Sequence, residues 1–142
     1  MIRGKELRGI TYIYAGDTEA PKVPGTPGLR QLGFVLADDV VVGEIFLSSF
    51  ASDHSDFDES RVGEIVKGTT SCDEVTRKFG RPGWRVVPPA TGHEGDALVL
   101  VYSFKYMKRP VLQFKSFEKS LSVSCDRSGI VRDVSYGEVG DR

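Results

Sequence analysis

The chain contains no apolar run near the roughly 18 to 20 residues that cross a bilayer as a helix, and its opening MIRGKELRG has no apolar core of a signal peptide. On these residues it is either a cytoplasmic protein or one whose leader has been removed. Charge of one sign is also missing. Nineteen Lys and Arg stand against twenty Asp and Glu, a net charge of -1, which removes the electrostatic ground for nucleic-acid or anionic-membrane binding over the whole surface. No CxxC occurs, and neither GTPG nor GRPG has the phosphate-loop spacing with a following Lys and Ser/Thr. No cofactor or metal is expected.

What is present is enough apolar residue, 39% of 142, to bury one core. Its organising stretch is Phe57 to Pro82, with two helix signals. Asp56 or Asp58 can cap a first helix over 58 to 67, with Val62, Ile65 and Val66 on one face and Gly68 at its end. Ser71 with Glu74 three residues on is a capping box for a second helix, in which Val75 and Phe79 lie one turn apart and Gly80 and Pro82 stop it. Helices this short need a partner for their apolar faces.

The partner reads as sheet. RGITYIY (8 to 14) is rich in β-branched and aromatic residues, and GDTEAPKVPGTPG, with three prolines and three glycines, is a loop or extended arm. Gln31 to Phe50 fits a hairpin turning at Asp38 and Asp39, a helix over 44 to 51 being the alternative. After Pro82 the apolar period changes to two. Trp84 to Val87, Ala97 to Lys105 and the strict alternation Leu121, Val123, Cys125 against Ser120, Ser122, Ser124 are strands, Val111 to Phe114 is a further extension, and Ile130 to Tyr136 returns last. The expected fold is therefore α+β: an αα-hairpin packed on an antiparallel sheet, with residues 1 to 56 as a β extension of a domain over 57 to 142.

Helix, helix, a Gly-x-Pro break and antiparallel strands, in that order, resemble the SmpA/OmlA (BamE-like) family of small bacterial outer-membrane lipoproteins. The likeness covers roughly 57 to 137. It is carried by Ile65-Val66-Lys67-Gly68, Thr70-Ser71 with Glu74-Val75, Phe79-Gly80-Arg81-Pro82, the strand Leu98 to Tyr102, and the closing Leu121 to Val131 with Val134. The resemblance implies a periplasm-facing, non-enzymatic envelope protein that acts through protein contacts in outer-membrane assembly or maintenance. Membrane contact would then run only through a lipid anchor outside these residues. The fold is also similar to that of the β-lactamase-inhibitor proteins, which makes a secreted enzyme inhibitor the alternative.

Individual residues add three candidates. The two cysteines leave two arrangements open: separate buried thiols, or, if the protein is exported, a disulfide between Cys72 on the second helix and Cys125 on the sheet. Phe104, Tyr106, Met107, Lys108 and Arg109 cluster aromatic, Met and basic residues at a strand end, the composition of interface centres, against the alternative of a hairpin tip folded back on the core. The crowded run Asp53 to Glu59, with His54, matches neither a calcium loop nor a zinc site and reads as solvated helix capping, and His93 with Glu94 and Asp96 reads as surface loop. The acids concentrated in 38 to 64 and the bases in 103 to 119 make the molecule dipolar if the fold keeps them apart.

Overall fold

A computed structural model describes residues 6–16, 20–108 and 115–141. Seven strands form one antiparallel sheet in chain order: β1 (Leu7–Ala15), β2 (Leu29–Ala37), β3 (Val40–Ser48), β4 (Trp84–Val86), β5 (Leu98–Lys108), β6 (Lys115–Cys125) and β7 (Val131–Gly140). The α+β expectation of an αα-hairpin on a sheet is overturned, because only one α-helix exists among the described residues, α1 (Cys72–Phe79). The molecule is predominantly a sheet, and residues 7 to 48 supply three of its strands rather than an appendage to it.

The first expected helix fails for local reasons. Asp58 does cap, its carboxylate accepting the amide of Ser60, but the turn that follows is a 3-10 segment, Glu59–Glu64, and Ile65 is already extended. Gly63 inside the segment and β-branched Val62 weaken a helix too short to nucleate alone. Tertiary hydrogen bonds then take the backbone elsewhere. The Gly68 amide donates to the Val131 carbonyl and the Val131 amide donates to that of Thr70, which ties the segment to β7. The second start holds: the Ser71 hydroxyl accepts the Glu74 amide at 3.1 Å, and Gly80, at φ 82, ends the helix where an L side chain would be strained. The Tyr102 hydroxyl donates to the Gly80 carbonyl at 2.9 Å.

The hairpin β2–β3 turns at Asp38 and Asp39, both with positive φ (50° and 64°), so two aspartates occupy left-handed positions that Asn and Gly usually fill. Strand β3 continues to Ser48, which removes the alternative helix over 44 to 51. Residues 49 to 83 cross from β3 to β4 over one face of the sheet. There Phe57, Val75, Phe79, Leu100, Tyr102, Leu121, Val123 and Val131 make the core, and Phe57 meets Phe79, Tyr102 and Tyr136 edge-on at ring distances of 6.3, 6.0 and 6.4 Å. Cys72 and Cys125 are joined by a disulfide, with Cα atoms 6.2 Å apart, that fastens α1 to β6 inside this core.

The acidic and basic segments are brought together. Lys119, 5% exposed, points under the crossing segment: its ammonium donates to the Phe57 carbonyl, to Glu59 at 2.6 Å and to Asp56 at 2.7 Å, and it lies 4.6 Å from the centre of the Phe57 ring. The solvated-capping reading of the acidic run therefore holds for Asp58 and fails for Asp56 and Glu59, which clamp a buried cation.

Asp53, in the same run, accepts from Arg30 at 2.7 and 3.0 Å and from the Ser48 hydroxyl at 2.5 Å. The Arg30 guanidinium holds its carboxyl below the ordinary value of 3.8. A depressed carboxyl stabilises the fold above the unfolded pKa and loses that contribution as pH falls through the folded one. Stability is thus expected to fall on account of this pair as pH drops below about 4. Urea melts of wild type and Asp53→Asn across that range check it, since the variant should lack this part of the acid loss.

Candidate interaction surfaces

The crossing segment covers only part of its face. Residues paired across the ladder share a face, so the row Ile10, Phe34, Glu44, Arg85, Leu100, Val123 lies on the helix side, and so does the row Tyr12, Leu32, Phe46. At β5 to β7 this face is sealed. At β1 to β3 it is a partly covered apolar shelf, with Ile10 and Tyr12 exposed, Leu32, Phe34, Leu36 and Phe46 half-buried, and the exposed Glu44 among them. Arg81, just after α1, stacks 4.3 Å over the Phe46 ring and edges the shelf on the helix side. At its far end Phe50, fully buried, is covered by the Tyr14 ring at 6.1 Å and the Arg30 guanidinium at 5.0 Å.

The opposite face curls. A Cβ on Gly43 would come within 3.0 Å of Val86 Cγ1 and 3.2 Å of Val35 Cβ, so only glycine lets those side chains close over the strand. Further along that face, Ser122, Ser124 and Ser135 floor an open basin of about 600 Å3 walled by His93, Glu94 and Arg132. Arg132 donates to the buried Asp96 carboxylate at 2.9 Å and to the Glu94 carbonyl at 3.2 Å, fixing the 91 to 97 loop against β7. The basin offers hydroxyls and one held ion pair to a polar ligand. Among the described residues no group of three His, Cys, Asp or Glu is placed to hold a metal.

The patch expected at 104 to 109 is dispersed. Phe104 is buried on the helix side, and Tyr106 packs between Phe104 at 6.1 Å and Phe117 at 5.4 Å. Met107 points to the other face, Lys108 is the last residue of β5, and Arg109 lies outside the described residues. Strand alternation explains this: even-numbered residues of β5 continue the inward row of Leu100 and Tyr102. Tyr106→Ala is accordingly expected to cost about 1 to 2 kcal/mol of stability, read as a lowered melting temperature.

The shelf was hidden in the sequence because Ile10, Tyr12 and Tyr14 have the alternation of any half-buried strand. What distinguishes them is the lack of a layer above, which depends on where a segment 40 residues later comes to rest. The buried Lys119 was equally hidden, although its place in the inward register of Leu121, Val123 and Cys125 could have flagged it. Comparison of the chain with protein-family models, with curated proteins and with solved structures finds no match.

Proposed function

We propose that this protein is an exported, non-catalytic component of a bacterial cell envelope that works by holding another protein against the open half of its sheet, in the assembly or maintenance of the outer membrane. The observation that carries the contact role is the apolar shelf on β1 to β3, where Ile10 and Tyr12 stand exposed beside half-buried Leu32, Phe34, Leu36 and Phe46. Contiguous apolar patches on a protein surface commonly mark contact sites. The Cys72–Cys125 bond supports an oxidising compartment, since such bonds persist outside the cytosol. The envelope setting rests on the resemblance of sequence motifs in residues 57 to 137 to the SmpA/OmlA lipoproteins, of which the structure keeps the second helix and the strands but not the first helix, and an anchor outside these residues would provide the membrane link.

Secreted inhibition of an enzyme is the second reading, favoured by the polar basin on the opposite face, which could seat an enzyme's loop. The faces separate the two. With envelope extract, Ile10→Glu/Tyr12→Glu is expected to lose a defined protein that the wild type retains, at unchanged melting temperature, while Ser122→Glu/Ser135→Glu keeps it. The reverse pattern would favour the inhibitor, and retention by both pairs would remove the shelf from the function.

A further inference from the structure

The two edges of the sheet are unlike. The β7 edge is blunted: its first residue exchanges hydrogen bonds with Gly68 and Thr70, and it carries Arg132, Asp133 and Glu138. Among the described residues the β1 edge has no such protection. Among the described residues nothing pairs with its outer side, none of its nine residues is buried, and Ile10, Tyr12, Ile13 and Tyr14 are 45, 62, 68 and 45% exposed. Its single charge, Arg8, is already paired with Asp39. A long apolar edge without lysine, proline or an inward charge is a template for another strand.

We propose that the occupant is β1 of a second copy, paired antiparallel about a two-fold axis at Thr11, so that two seven-stranded sheets become one. The sequence of β1 is self-complementary in that register. Thr11 faces Thr11 on the axis, Ile10 faces Tyr12, Arg8 faces the flat ring of Tyr14, and Leu7 faces Ala15. Ile13, the most exposed side chain of the strand, faces Gly9. The space over Gly9 is open, since a Cβ there would meet no atom within 4 Å. The pairs combine aromatic with aliphatic, Thr with Thr and large with absent, the combinations that stabilise facing strands, and no like charges meet. Because the operator is a two-fold, the interface closes at two copies. Both shelves then lie on the same face, side by side between two helix-covered blocks. The pairing does not depend on the shelf having a partner, and its test uses the purified chain alone.

Sedimentation should show a monomer–dimer equilibrium reaching twice 15.6 kDa at a loading of about 100 µM. Ile13→Lys, at a site too exposed to affect the fold, should raise the dissociation constant at least about tenfold, because it sets an ammonium over Gly9 of the other copy. Facing residues lie about 4.5 to 5.5 Å apart between Cα atoms, within disulfide range, so Thr11→Cys should yield a covalent dimer in air. Gly9→Cys should remain monomeric on the same gel unless Ile13→Cys is added. A monomer at every concentration would overturn the proposal. So would a mass growing past two copies, as β1-on-β7 stacking gives, or a dimer indifferent to Ile13→Lys that Thr11→Cys does not link.

Discussion

Replacing both cysteines by alanine is expected to lower the unfolding free energy by about 4 kcal/mol, the chain-entropy cost of releasing a loop whose ends are 53 residues apart. At about 2 to 4 °C per kcal/mol for a chain of this size, the melting temperature should fall by roughly 8 to 16 °C. The effect is large because of where the bond sits. It joins the first turn of α1 to an inward position of β6, both buried, and everything from Asp73 to Ser124 lies within the loop it closes. Denaturant melts of the two proteins measure it directly. A loss under about 1 kcal/mol would mean that the core alone holds α1 down.

Phe57→Ala is expected to cost about 3 to 4 kcal/mol. Phe57 is the contact by which the crossing segment seals the sheet: its ring meets Phe79, Tyr102 and Tyr136, and the Lys119 ammonium sits against its face while bonding its carbonyl. Truncation leaves a cavity under a 3-10 turn and also removes the apolar lid from a buried cation whose partners Asp56 and Glu59 depend on the same turn. Phe57→Leu, which keeps most of the volume, should recover more than half of the loss. Equal losses for the two variants would show that the ring contacts, not the filled volume, are what matters. Since Phe57 and the Cys72–Cys125 bond brace one cluster, their combined loss should depart from the sum of the two.

The strands were legible because their signal is local. The alternation of Leu121, Val123 and Cys125 against three serines needs nothing beyond the pleat, and Ser71 with Glu74 specifies a helix start by two side chains alone. The segment at Val62 to Gly68 was misread for the opposite reason. Its apolar spacing is helical, but Gly63 and the short length leave the helix marginal, and the backbone bonds of Gly68 and Thr70 to Val131 decide the outcome from 60 residues away. Composition likewise singled out Phe104 to Arg109 as a contact patch, although strand parity sends Phe104 and Tyr106 inward and Met107 outward. The shelf and the bare β1 edge are properties of what fails to lie over them, and periodicity carries no record of that.

The role of the open half is tested most directly by a photo-crosslinking amino acid placed at position 12, on the shelf, and at position 139, a still more exposed site on the far strand, in cells expressing the protein from its own gene. Position 12 should give a discrete adduct with a different protein, in addition to any self-adduct from paired β1 strands, and position 139 should give neither. No foreign adduct from position 12, or the same set of adducts from both positions, would contradict a protein that works by contact through the uncovered side of its sheet.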